Sequence, residues 1–476
     1  MNRRSKQLIA IIAIAMIVMS LGLFALPRVV QALPGQYLYR LQNHPLTGGI
    51  VELVTTPIPA ALPAASGERA LSVAEVPEIP GLDVVASTGL GSSEIAAIEE
   101  PAPTPMPSPT RETLVITVGE TPTPEGAPAE PTATPTPSPT ATMAPLPERV
   151  VLEDVPWERQ AFNNCGPANM TIVLNYWGIE TTQQEAASYL KPNEQDRNVS
   201  PWQINDYVNE FTTMKSTAHT SGTPEMLKQF IAAGFPVVIE KGYEPGTSEG
   251  WYGHYLTVYG YDDAKEEFYS RDTYLGPFSE SPRVDSYDEF MKWWQQFYYT
   301  FYVIYPGHRE AEVMAIIPDV LENELTMWQH AEQIARQELA TNPDDVFTWF
   351  NLGVALTRLG EVSTSGNQQY YTEATQAFDR AREIGLPPRA LYYEHRPLMA
   401  YYKTGRIDDV LELTDSLLND AGGKWVEEVQ WYRGHALAAT GELQAAQEAY
   451  QAALEVNPNF YPAQISLDWV NGLLEQ

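Results

Sequence analysis

Residues 160–178 read QAFNNCGPANMTIVLNYWG and hold the only cysteine of the 476-residue chain, Cys165. Pro167 suits the first turn of a helix, where its missing N–H is no loss, and Gly166 suits the cap. Ile172, Val173, Tyr176 and Trp177 recur at helical spacing and predict a buried face that ends at Gly178. Cys165 therefore stands at a helix N-terminus. The unpaired amides and the dipole there favour a thiolate over a thiol. A lone cysteine excludes an internal disulfide, so the thiol is either a small buried hydrophobe or a reagent.

Downstream, helix starts are marked by Thr182 with Glu185, Ser200 with Pro201 and Gln203, and Thr223 with Pro224. The period then shortens. FPVVIE (235–240) reads as a buried strand, and HYLTVYGYDDAKEEFYSRD (254–272) as an alternating hairpin turning near Asp263. With that turn, His254 faces Asp272 directly across the ladder, on the side shared by Leu256, Val258 and Phe268. Asp262 and Asp263 at the tip lie too far along the strand to orient the ring. His44, His330, His395 and His435 fall outside this unit, and His219 and His308 in flanking loops, so His254 is the candidate base. Glu249, Trp251 and Tyr252 beside it are candidates to shape a cleft.

Gln160, the NNCGPA run at 163–168, GHYLTVYGYDD at 253–263 and Asp272 together resemble the papain-like cysteine peptidases that process double-glycine leaders of bacteriocins. The resemblance covers about 160 residues. It implies an α+β fold for residues 148–308, with Cys165 as nucleophile, His254 as general base and acid, and Asp272 orienting the imidazole. Gln160 would share an oxyanion hole with the Cys165 amide. Asn164 stands where an aspartate often precedes the cysteine, Thr273 where a proline often follows the aspartate, and Gln160 is slightly close to the cysteine. Leader specificity therefore does not carry over. No metal or cofactor is called for. Hydrolysis through a thioester is the leading expectation; an inactive domain serving as a cell-surface scaffold and acyl transfer to an amine are the alternatives.

Residues 309–476 are helical in pattern, and self-similarity returns near every 34 residues. ATNPDD (340–345), TWFNLGVALTRLGE (348–361) and WYRGHALAATGELQAAQEAYQAALEVNPNF (431–460) resemble tetratricopeptide repeats, with an insertion at 362–370 and a degenerate unit over 389–424. Gly353, Gly360, Gly434 and Tyr450 fall where the two helices of a repeat approach closely. Such an array implies a protein partner.

The N-terminal third differs. Arg3, Arg4 and Lys6 precede an apolar run from Leu8 to Leu26, long enough to span about 30 Å of hydrocarbon. Residues 1–35 are expected to be a cytoplasmic tip and signal anchor that places the rest outside the cytoplasm, with cleavage after Ala32 and secretion as the alternative. Residues 36–147, with PAPTPMPSPT (101–110) and PTATPTPSPTAT (131–142), are expected to be a disordered Pro/Thr-rich stalk. The balance of 61 Asp and Glu against 29 Lys and Arg, a net charge of −32, disfavours nucleic acid.

Overall fold

The computed structural model describes residues 61–65, 70–82, 145–244, 250–419 and 422–476. The expected signal anchor lies outside them. Among the described residues no helix is long and apolar enough to cross a membrane.

Residues 145–306 carry an antiparallel sheet with helices packed on it. Its strands are β1 (Arg149–Val151), β2 (Met214–His219), β3 (Val237–Tyr243), β4 (Tyr252–Asp262), β5 (Glu267–Asp272), β6 (Arg283–Ser286) and β7 (Phe301–Pro306). Strand order is β2-β7-β3-β4-β5-β6, with β1 beside the far end of β4. Helices α1 (Cys165–Tyr176), α2 (Gln183–Leu190), α3 (Pro201–Phe211) and α4 (Pro224–Ala232) precede or interrupt the sheet, and α5 (Tyr287–Trp294) follows β6. The sequence caps act as read: Thr182 and Ser200 form capping boxes with Glu185 and Gln203, and Thr223 accepts from the Met226 amide. Each is worth on the order of 1 kcal/mol.

Helix α1 departs from the one-faced expectation. Gly166 through Leu174 are all buried, whereas Tyr176 and Trp177 are only half so. The helix is wrapped because α2, α3 and β4 all pack on it. Its C-terminal end is pinned to the sheet by the Trp177 indole, which donates to the Ile304 carbonyl at 2.8 Å.

The hairpin departs too. The ladder pairs Asp262 with Glu267 and Tyr261 with Phe268, then shifts by one residue between Val258 and Gly260, so that Leu256, not His254, faces Asp272. The bulge leaves Tyr259 without an opposed partner, and Gly260 marks it: a Cβ there would come within 3.1 Å of the Val150 carbonyl and the Tyr269 ring. His254 still lies on the Asp272 face, two residues along, and reaches it diagonally. Leu256, Val258 and Phe268 share one core, as the alternation implied.

After α6 (Glu310–Ile316) and the short α7 (Asp319–Glu322), α8 (Glu324–Thr341) leads into three helical hairpins. These are α9 (Val346–Val362) with α10 (Asn367–Ile384), α11 (Arg396–Lys403) with α12 (Ile407–Leu418), and α13 (Glu427–Ala439) with α14 (Leu443–Val456), closed by α15 (Tyr461–Leu474). A Cβ on Gly353 would lie 2.4 Å from the Phe378 ring, and one on Gly434 2.4 Å from the Tyr450 ring, so both glycines set the helix contact within a repeat. The expected insertion is absorbed by a longer α9 and a short loop.

The sheet unit and the repeats share one core. Trp251 is 8% exposed, stacks on Phe297 at 5.7 Å and Phe347 at 5.1 Å, and meets Tyr393 edge-on. Trp251 is therefore spent on this junction rather than on a cleft, and Tyr252 lies under the Arg389 guanidinium at 4.0 Å. Glu249 lies outside the described residues. A polar cavity at the same junction is lined by Asp196 and Glu240 on one side and Glu394, Arg396 and Glu427 on the other.

The stalk expectation fails for residues 61–65 and 70–82. Leu62, Ile79 and Leu82 are buried in the core of the repeat array. Three apolar anchors among the prolines are enough to dock a segment whose average composition reads as coil.

Candidate active site

The loop ahead of α1 is held by buried polar groups. Asn163 has φ +54 and Asn164, 5% exposed, donates to the Gln183 side chain at 3.2 Å. Gln183 also accepts from the Ala161 amide at 2.7 Å and donates to Glu158 at 2.5 Å, fixing the strand of loop that carries Gln160. The Lys191 ammonium donates to the carbonyls of Asn163 and Asp196. Burial lowers its pKa, and the neighbouring Asp196 opposes that shift. Cys165 opens α1 and is only partly buried.

His254 sits near the start of β4, 5% exposed. Its Nε2 lies 3.0 Å from Asp272 Oδ1, and the Cys165 side chain acts on the same ring. Tyr243 and Tyr274 flank the imidazole at 6.0 and 6.2 Å. Burial alone would depress the ring's pKa, but the Asp272 carboxylate and then the cysteine outweigh it and raise it to about 9.

Asp272 ends β5. Oδ1 also accepts from the Tyr274 and Leu275 amides at 2.8 and 2.9 Å, and Oδ2 accepts from Arg283 Nη1 at 2.7 Å. Burial would push this carboxyl up; His254, Arg283 and the amides together hold it well below the usual carboxylate range. Arg283 is itself fixed by a two-pronged pair with Asp285 on β6. No sequence signal marked Arg283, since one arginine on a short edge strand is ordinary.

Gln160 is the fourth residue of the group. Its backbone N–H donates to the Thr273 carbonyl at 2.8 Å, and its side-chain oxygen accepts from the Thr273 hydroxyl at 2.9 Å. That assignment leaves the Gln160 amide nitrogen as the available donor. Thr273 in turn accepts from Asn169 Nδ2 at 3.2 Å, and Asn169 also donates to the Cys165 and Tyr255 carbonyls while accepting from Thr257. One buried chain of side chains thus ties the first turn of α1 to β4 and to the segment after β5. Asn169 and Thr273 were not singled out as positioning residues; the place of Thr273 next to Asp272 was the one available hint.

A thiol at a helix start, an imidazole hydrogen-bonded to a buried carboxylate, and a side-chain amide tied to the residue after that carboxylate are the residue types that acyl transfer uses. Residues 152–302 match the Peptidase_C39 like family. Residues 427–460 match the tetratricopeptide repeat. A solved structure described as a C39-like peptidase from Bacillus anthracis is 21% identical, covers 33% of this chain and 96% of that one, and superposes with a TM-score of 0.27. No curated protein matches the chain. The C39-like match spans Cys165, Gln160, His254 and Asp272 alike, and ends within β7, before the helical array begins.

Proposed function

We propose that residues 148–308 form a cysteine peptidase, with Cys165 as nucleophile, His254 as general base and acid, Asp272 as orienter and Gln160 as oxyanion donor. The observation that supports this reading is the buried His254 ring, with its Nε2 3.0 Å from Asp272 Oδ1 and Cys165 acting on the same imidazole. A thiolate–imidazolium pair attacks the scissile carbonyl carbon through sulfur. The tetrahedral oxyanion is held by the Cys165 N–H and Gln160 Nε2, and Nδ1–H of His254 protonates the leaving amine as the C–N bond breaks. Water then attacks the thioester, giving its proton to His254, and the acid departs as the thiolate re-forms. Arg283 keeps Asp272 charged throughout, so the ring keeps one orientation.

In this reading Leu8–Leu26 anchors the chain in a membrane with the peptidase and repeats outside the cytoplasm, and the repeats serve protein interaction. Fractionation checks the anchor: the chain partitions with membranes, whereas a mature N-terminus at Leu33 would support the secreted form. The activity is tested by cleavage of a peptide library with the full chain. Cys165→Ala and His254→Ala should each abolish turnover while the protein still folds, and full activity in Cys165→Ala would refute the assignment.

A further inference from the structure

Residues 61–65 and 70–82 run along the array, from α10 past the α11–α12 turn to α15, and bind it much as a foreign peptide would. The Leu62 N–H donates to the Leu386 carbonyl at 2.8 Å, after α10, and the Leu71 N–H donates to the Gly405 carbonyl at 2.9 Å, between α11 and α12. Three prolyl carbonyls are each taken by a side chain of the array. Arg382 Nε donates to Pro63 at 2.7 Å, the Tyr402 hydroxyl to Pro77 at 2.8 Å and the Ser466 hydroxyl to Pro80 at 2.8 Å. Leu62, Ile79 and Leu82 are 4%, 3% and 2% exposed between these points.

The backbones are fitted to each other. Gly81 has φ +108 with its missing Cβ 2.8 Å from the Pro462 carbonyl, and Gly405 has φ +77 with its missing Cβ 2.2 Å from the Leu71 carbonyl. A side chain at either position would strain the backbone and push the two chains apart. Proline suits the segment because it fixes an extended backbone, has no N–H to satisfy and loses little freedom on docking.

We propose that residues 61–65 and 70–82 are a ligand in cis for the repeat array, so that the array receives this chain's own proline-punctuated segment. The N-terminal chain then joins the folded body at the repeats, beside α10, and not at β1 of the peptidase unit. Leu82, buried on the array, and Pro147, whose carbonyl accepts from the Tyr261 hydroxyl, then hold the chain at two separate points of the body. Tethering makes the docking intramolecular, so an outside peptide of the same kind faces a competitor at high effective concentration.

The test uses the full chain in detergent with a site for a specific protease placed between residues 105 and 140. After cutting, the N-terminal fragment should stay with the body through gel filtration. Ile79→Asp with Leu82→Asp should reduce retention more than about tenfold, because two charges would be buried unpaired. Val73→Asp, at a site 46% exposed, should retain it. In the uncut chain the Leu62 and Leu71 amides should exchange with solvent at least ~100-fold more slowly than free chain. Separation of the wild-type fragment, retention unaffected by the double substitution, or free-chain exchange at Leu62 and Leu71 would each overturn the proposal.

Discussion

The acid form of His254 depends chiefly on one carboxylate. The ring is raised to about 9 against its own burial, chiefly by Asp272, so the imidazolium that must protonate the leaving amine persists up to that pH and is lost above it. The high-pH limb of kcat/KM should therefore fall near pH 9. Asp272→Asn removes the raising charge, so the limb should move down toward the ordinary histidine value of about 6.5, with turnover reduced about 10- to 10⁴-fold. An unmoved limb would show that Asp272 does not face the acting ring. Gln160→Ala should cost about 10²- to 10³-fold if its amide serves the oxyanion. Cys165, His254 and Asp272 were legible as candidates because the helix start and the strand spacing mark them, whereas Gln160 was marked by the family resemblance alone. Asn169, Thr273 and Arg283 were not legible, because an asparagine inside a helix, a threonine after a strand and an edge arginine each have ordinary readings until the fold brings them together.

At the scale of elements, the starts of α2, α3 and α4 were written into the sequence by their caps and the hairpin by its alternation, whereas α1 is capped by Asn164 rather than Gly166 and begins at Cys165. The register of the hairpin was not written there. The turn falls between residues 264 and 265 rather than at 263, which alone would set Thr257 opposite Asp272. The unopposed Tyr259 then shifts the ladder by one, so that Leu256 faces Asp272 and His254 lies diagonal to it, and the only local trace of that bulge is Gly260 within a strand. The close helix contacts of the repeats were legible in their glycines, and a contact glycine and an open one give opposite expectations. Gly434→Val places carbon against the Tyr450 ring, which is fully buried and held by His435, so it should destabilise by about 1–3 kcal/mol. Gly472 lies in α15 with nothing within 4 Å of an added Cβ, so Gly472→Ala should stabilise by about 0.5–1 kcal/mol. Thermal melts of the two variants check the pair, and equal shifts would contradict it.

Over the whole molecule, the boundary drawn in the sequence near residue 308 is not a boundary in the core. Trp251, three residues from His254, is shared by the sheet and the repeats, and a Cβ on Gly253 would lie 2.9 Å from the Tyr393 ring of the array. Peptidase and repeats should therefore melt in one transition. Trp251→Ala should lower its midpoint, at a cost of about 3–5 kcal/mol, and should reduce turnover as well. Two separate transitions in calorimetry would contradict the shared core. The docking of residues 61–65 and 70–82 was hidden because composition averaged over a long Pro-rich stretch conceals a few apolar anchors, and because the surface that buries them lies more than 300 residues away in the chain.

The most direct measurement of the central claim is the rate at which iodoacetamide alkylates Cys165 at pH 6, in the wild type and in His254→Ala. With one cysteine in the chain, the signal belongs to Cys165 alone. If the imidazolium holds the thiolate, the wild-type thiol reacts readily and removal of His254 slows it at least ~10-fold, as expected for loss of a charge-paired partner. Equal rates in the two proteins, or a wild-type thiol that reacts only after unfolding, would contradict the account.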